Sequence, residues 1–145
     1  LGRSLWFVEG LDPGRVGAAI ASFPESRRAA LWAGVGLAAT YAGGASGNAL
    51  RSLKEQASRF ADDLAQGCAF ACEAREHAGN PVAHSSVASN IFCGVDAATA
   101  ASAARESSHG LAASVHLPAY EVWRQRLRSR FSKTPAVEKF HALGA

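Results

Sequence analysis

The residues with the means to do chemistry are a few histidines, three cysteines and a cluster of arginines near the carboxyl end. His84 is the most informative of them. At helical spacing it shares a face with Val87, Ala88 and Ile91, which sets it half-buried near a helix amino terminus. There the protonated imidazole is disfavoured. A neutral base results, with Glu73 or Glu76 of the preceding segment as its orienting partner. His84 is therefore the candidate catalytic residue, with Gln66 and Asn80 as hydrogen-bonding aids. The competing reading of His84 is a histidine simply hydrogen-bonded in the core, which is the commoner arrangement. Asn80 competes as a helix cap.

Cys68 and Cys72 stand four apart on one helical face, and Cys93 can approach them from the following helix. With His77 or His84 they contain the ligands of a tetrahedral thiolate site. No C-x-x-C element is present, and the cysteines sit among Ala, Gly and Phe, where thiols behave as small hydrophobes. Structural thiols are favoured, and no metal is expected. Gly34-Val35-Gly36 suggests a nucleotide loop, but that fingerprint needs a preceding strand. Here the glycines lie inside an apolar helical run, so close helix packing explains them and no cofactor is expected.

Arg124, Arg126, Arg128, Arg130 and Lys133 make the last helical segment basic, with Arg124 and Arg128 on one shoulder of a Trp123/Leu127 stripe and Arg126 and Arg130 on the other. Two such shoulders can straddle a phosphate backbone. They can equally snorkel around a docked apolar face. The second reading is favoured, because no nucleic-acid motif accompanies the charges.

These residues are positioned by helices with clear punctuation. Asp12-Pro13 reads as an N-cap and first helical position, followed by Val16, Ala19, Ile20 and Phe23 on one stripe. Ala29–Ala42 is apolar on every side, as expected of a helix surrounded by others, and Gly43-Gly44 ends it. Ser46 caps a helix with Leu50, Leu53, Ala57 and Phe60 on its stripe. Asp62–Ala78 carries small residues at helical spacing that let a neighbour approach. Gly79-Asn80-Pro81 reads as a helix stop, a cap and a new first turn. Asp96 caps an alanine-rich helix, residues 109–117 read as a connection, and Pro118 opens a final helix with Tyr120, Trp123, Leu127 and Phe131 on its stripe. Gly36 and Gly67, 31 residues apart, sit in similar strings, an echo of helical-hairpin repeats of about 34 residues. The expected fold is all-α: a compact array of six or seven short helices packed as antiparallel hairpins, with a helical-repeat-like arrangement as one form of it. Residues 1–132 form the single domain, and residues 133–145 are expected to be a flexible tail.

A chain of 145 residues, 48% hydrophobic and 19% charged, is ordinary for one globular domain. The longest apolar run is too short for a membrane span of about 20 residues. No secretory signal is visible, and the odd cysteine count argues against a disulfide framework. A cytoplasmic location is the expectation. The chain opens at Leu1 in what looks like the middle of an element, so it is expected to be part of a longer protein.

Several strings together resemble a known family. Gly2-Arg3-Ser4-Leu5-Trp6-Phe7-Val8 opens the match, followed by Phe23-Pro24 and the run from Arg27 to Ala38. Tyr41-Ala42-Gly43-Gly44, Leu64 to Ala71, Ala78-Gly79-Asn80 with His84, and Cys93-Gly94 continue it. Over about Gly2 to Phe131 the chain resembles the C-terminal half of the UnbL-like accessory proteins. These are uncharacterised bacterial proteins encoded beside the iterative polyketide synthases that make enediyne cores. The resemblance implies a pathway context: binding or modifying a polyene intermediate, or assisting the synthase. Trp6, Trp32, Gln66 and Asn80 are then the candidate ligand-binding residues, with Tyr41 and Phe70 as further aromatic walls of an apolar tunnel. The alternative is a non-catalytic helical scaffold for protein–protein interaction.

Overall fold

The structure is a computed structural model that describes residues 1–109 and 119–132. Among them are eight α-helices, one 3₁₀ turn and no strand. The helices are α1 (Gly2–Val8), α2 (Pro13–Ala21), α3 (Glu25–Ala42), α4 (Gly47–Ala57), α5 (Ala61–His77), α6 (Ala83–Cys93), α7 (Ala97–Ser107) and α8 (Ala119–Phe131). The 3₁₀ turn, Ser58–Phe60, follows α4 and carries Phe60 off the stripe expected of it. The all-α expectation holds, and α1 is the helix that the sequence left undecided. The side chain of Tyr120, residues 110–117 of the expected connection and the expected tail lie outside the described residues.

Caps form where short polar side chains precede apolar runs. Asp12 accepts from the Arg15 amide at 3.0 Å, Ser46 from Ala49 at 3.1 Å and Asp96 from Thr99 at 2.8 Å. That last bond holds the Asp96 carboxyl below its usual range. The α3 start has no side-chain cap. Arg28 instead donates back to the Phe23 and Ala21 carbonyls, tying α2 to α3.

Asn80 departs from its expected role. The α6 helix begins later, at Ala83, with Val82 at its cap position and no side-chain cap bond. Asn80 instead completes the end of α5: its amide donates to the Arg75 carbonyl and the Gly79 amide to Glu76, both at 3.0 Å, with Gly79 at φ +71°. That is the paired closure of a Schellman motif. It uses the Asn80 backbone and leaves the side chain exposed.

The helices form two layers. In one, α1 packs on α3, α3 on α5 and α5 on α7; in the other, α2 packs on α4 and α4 on α6. Alternate helices are thus neighbours, as in helical-repeat arrays. The starts of α3, α5 and α7, at residues 25, 61 and 97, lie 36 apart. The shorter spacing of Gly36 and Gly67 is not this period: both glycines lie where α3 and α5 touch. A Cβ on Gly67 meets the Ala33 carbonyl and lies 2.9 Å from the Leu37 nitrogen, while one on Gly36 meets the Leu64 carbonyl group. Gly2 and Gly34 join α1 to α3 in the same way, a Cβ on Gly34 falling 2.8 Å from the Gly2 Cα. Backbone touches backbone at both seams. This is the packing role that the Gly34-Val35-Gly36 string suggests.

Helix α8 crosses the outer side of the first layer, over α5 and α7. Leu127 is wholly buried beneath it. Each α8 arginine is engaged inside the chain. Arg124 Nε donates to Gln66 Oε1 at 3.0 Å, and Arg128 Nε lies 3.2 Å from Asp63 Oδ1. Arg126 donates to the His109 carbonyl at 3.1 Å and Arg130 to Glu106 at 2.7 Å. The basic shoulders are fasteners around a docked apolar seam.

Candidate functional site

Helix α8 lies over α5 and α7, and one stripe of the apolar part of α3 stays incompletely covered: Ala30 and Tyr41 are exposed, Gly34 and Leu37 half-buried, at successive helical turns. Beside it runs a groove. One part, about 330 Å³, lies between the start of α1, the α3 stripe, Gln66 and Phe70 of α5, and Arg124. The other part, about 430 Å³, is lined by Leu37, Phe70, Glu73, Ala74, His77 and Trp123. Leu37 and Phe70 line both, so the two parts adjoin. Phe70 and Trp123 meet edge to face with centroids 4.7 Å apart, and Trp123 Nε1 donates to the Ala104 carbonyl at 2.7 Å. The aromatic wall is therefore fixed by α5 and α7 together. From Gln66 to His77 the groove residues span twelve positions of α5, roughly 16 Å at helical rise.

The candidate ligand-binding residues separate. Gln66 lines the groove, as does Phe70. Trp6 and Trp32, 0% and 3% exposed, are core side chains. Asn80 lies beyond the end of α5. Tyr41 carries the Arg75 guanidinium over its ring at 4.0 Å. Leu37, Trp123, Arg3 and Arg124 are groove residues that the sequence reading did not select as a site. The signal available for them was the α3 run itself, apolar on more faces than its neighbours cover.

His84 sits at the carboxyl end of α3. Its Nε2 lies 3.0 Å from the Tyr41 carbonyl oxygen. A carbonyl only accepts, so Nε2 carries the proton and donates. Arg75 donates to the same oxygen at 2.6 Å and Ser85 to the Thr40 carbonyl at 3.0 Å. Three side chains thus satisfy carbonyls that a helix end leaves open. Gly43, at φ +72° and ψ −156°, belongs to a backbone region that is essentially glycine's, and a Cβ there would strike the His84 ring at 2.8 Å. Glu73 and Glu76, the expected orienting partners, both pair with Arg105, at 2.7 and 3.4 Å.

Cys68 and Cys72 are buried and Cys93 is half-buried. Burial pushes the Cys68 thiol well up, and a hydrogen bond to Cys68 together with burial raises Cys72. Cys93 donates to the Ala65 carbonyl at 3.4 Å. Among the described residues no cluster of three His, Cys, Asp or Glu side chains is arranged to hold a metal. In the folded chain one thiol, Cys93, is expected to react with an aromatic disulfide reagent, and the other two only after denaturation. Fast release of three equivalents from native protein would contradict this.

A larger hollow, about 630 Å³, lies among α4, α6, α7 and the end of α8. Both its cations are engaged, Lys54 with the Ile91 carbonyl and Arg130 with Glu106.

Asp63 lies under α8, 1% exposed, and its Oδ2 has no hydrogen-bond partner among the described residues. Burial raises its carboxyl pKa against the pull of Arg128 and Arg124, with Asp62 adding to the rise. A folded pKa above the unfolded value of about 3.9 favours the protonated form in the native state. The resulting stability is full below that value and is lost as pH rises through the folded pKa. Asp63→Asn keeps the shape of the neutral acid. It is expected to melt no lower than wild type at pH 7, with any advantage closing as pH falls below about 4. A lower melting point for Asp63→Asn at pH 7 would refute this.

Two helical layers, a strapping helix and an apolar groove define the chain as an all-α domain of helical-repeat-like build. It belongs to the family described as Protein of unknown function (DUF1702), which matches residues 1–131. No curated protein and no solved structure matches it. No helix among the described residues is long and apolar enough to cross a membrane.

Proposed function

We propose that this domain binds an extended apolar molecule, of the polyene class handled in enediyne polyketide biosynthesis, along the groove between α3, α5 and α8. The observation that carries the proposal is the half-covered apolar stripe of α3 facing the Phe70–Trp123 wall. Apolar surface left unburied beside a fixed aromatic wall is what a hydrocarbon ligand needs. The resemblance to enediyne accessory proteins supports the choice of a conjugated chain and of a polyketide synthase as its source. The reading is of binding and protection, and no chemical step is assigned to His84, whose Nε2–H is committed to the end of α3.

The test uses diphenylhexatriene, a neutral polyene that fluoresces when shielded from water. Wild type is expected to bind it, and Leu37→Glu, which sets a charge in the groove outside the core, to weaken binding roughly tenfold or more at unchanged melting temperature. Equal binding by both chains would remove the groove from the account.

A second reading, a scaffold docking partner proteins on its outer faces, is favoured by Phe7 and Val8, adjacent on α1 and 53% and 70% exposed. Phe7→Glu leaves diphenylhexatriene binding intact in the first reading and abolishes co-purification with a partner in the second.

A further inference from the structure

Resting on the groove's proposed role, we infer that its ligand ends in a carboxylate received by Arg3 and Arg124. The two parts of the groove differ in chemistry. Past Leu37 and Phe70 the wall changes from Ala74 and Trp123 to Gln66, Arg124 and Arg3, and no Asp or Glu lines this end. Arg3 makes no ion pair among the described residues and is exposed.

Arg124 is held by its Nε, which donates to Gln66 Oε1 at 3.0 Å. Gln66 is itself 1% exposed, so its amide is a fixed bracket rather than a surface group. That arrangement leaves the two Nη atoms of Arg124, half of the fork that pairs with a carboxylate, without a hydrogen bond among the described residues. The nearest acid, Glu121 Oε2, is 3.6 Å from Nη1, beyond hydrogen-bond length. Asp63 does not line this hollow; Arg128 takes its Oδ1, and burial raises its carboxyl pKa against the pull of Arg128 and Arg124. Two guanidiniums bordering one hollow, only partly offset from behind, make a site that favours an anion. Joined to the apolar stretch, it fits a long unsaturated carboxylic acid lying along α5 with its head at Gln66. Gln66 is a positioning residue, since it acts through Arg124.

The experiment compares fluorescence titrations of cis-parinaric acid and its methyl ester, in low and high salt, for wild type, Arg3→Gln, Arg124→Gln and Leu37→Glu. The acid is expected to bind roughly tenfold more tightly than the ester in low salt. Each arginine variant should lose about three- to tenfold in affinity for the acid and nothing for the ester. High salt should narrow the gap between the two ligands. Arg3 is exposed, so Arg3→Gln stays decisive even if Arg124→Gln loosens α8. Equal wild-type affinity for acid and ester overturns the carboxylate assignment alone and leaves the groove reading standing. Binding of neither form, or binding that Leu37→Glu leaves untouched, overturns both.

Discussion

Gly67→Ala is expected to be the most damaging one-carbon change in the chain. Its Cβ would enter the Ala33 carbonyl and crowd the Leu37 nitrogen. Both are backbone atoms of a neighbouring helix, so no side chain can rotate away. Overpacking typically costs about 1–3 kcal/mol, and with rigid atoms on both sides the upper end or beyond is expected. A fall in melting temperature of about 10 °C or more should follow. Gly36→Ala should behave alike. The double variant should fall short of the sum, because one outward shift of α5 from α3 relieves both collisions. Gly14→Ala is the control, since its Cβ meets only the Asp12 carboxylate, at 3.4 Å. It should hold or slightly raise stability by restricting the unfolded chain. If Gly67→Ala melts with wild type, the backbone contact between α3 and α5 is wrong.

Leu127→Ala is the second large effect. Leu127 is wholly buried, whereas Gln125, Arg126, Arg128, Ser129 and Arg130 around it are exposed. The polar fasteners do not replace it: the exposed Arg130–Glu106 pair contributes about 1 kcal/mol or less, and the bonds to the buried Asp63 and Gln66 mainly offset the cost of burying those groups. Truncating a buried leucine costs roughly 2–5 kcal/mol. The loss should be local: amide exchange in α8 should accelerate by orders of magnitude while α3 and α5 keep their protection. Diphenylhexatriene binding should weaken with it, because Trp123 and Arg124 leave the groove. Uniform acceleration through all helices would show instead that α8 unfolds only with the whole domain.

Features set by neighbours in sequence were legible in advance. Asp12, Ser46 and Asp96 cap helices because a short polar side chain reaches an amide three residues on, whatever the rest of the chain does. The glycines of α3 and α5 were readable as packing residues because helix propensity disfavours them unless something approaches closely. Asn80 was misread because two backbone roles suit the same residue, closing α5 or opening α6, and only the dihedral angles at Gly79 decide between them. The groove was harder still. Gln66 and Arg124 are 58 positions apart, and nothing local announces that α8 lies over α5 and α7 rather than α3. Trp6 and Trp32 illustrate the same limit: aromatic residues serve equally as core or wall, and burial depends on which helices become neighbours.

The glycine seams have a mechanical consequence. Helices α1, α3 and α5 meet main chain to main chain, so the floor under any guest is a stiff slab with almost no side-chain give. Helix α8, which rests on side chains such as Leu127, Trp123 and the arginines, is the more compliant boundary. If the groove holds the proposed ligand, guests of different girth are accommodated by displacement on the α8 side, and selectivity for length or shape is set by substitutions there rather than in the seam beneath.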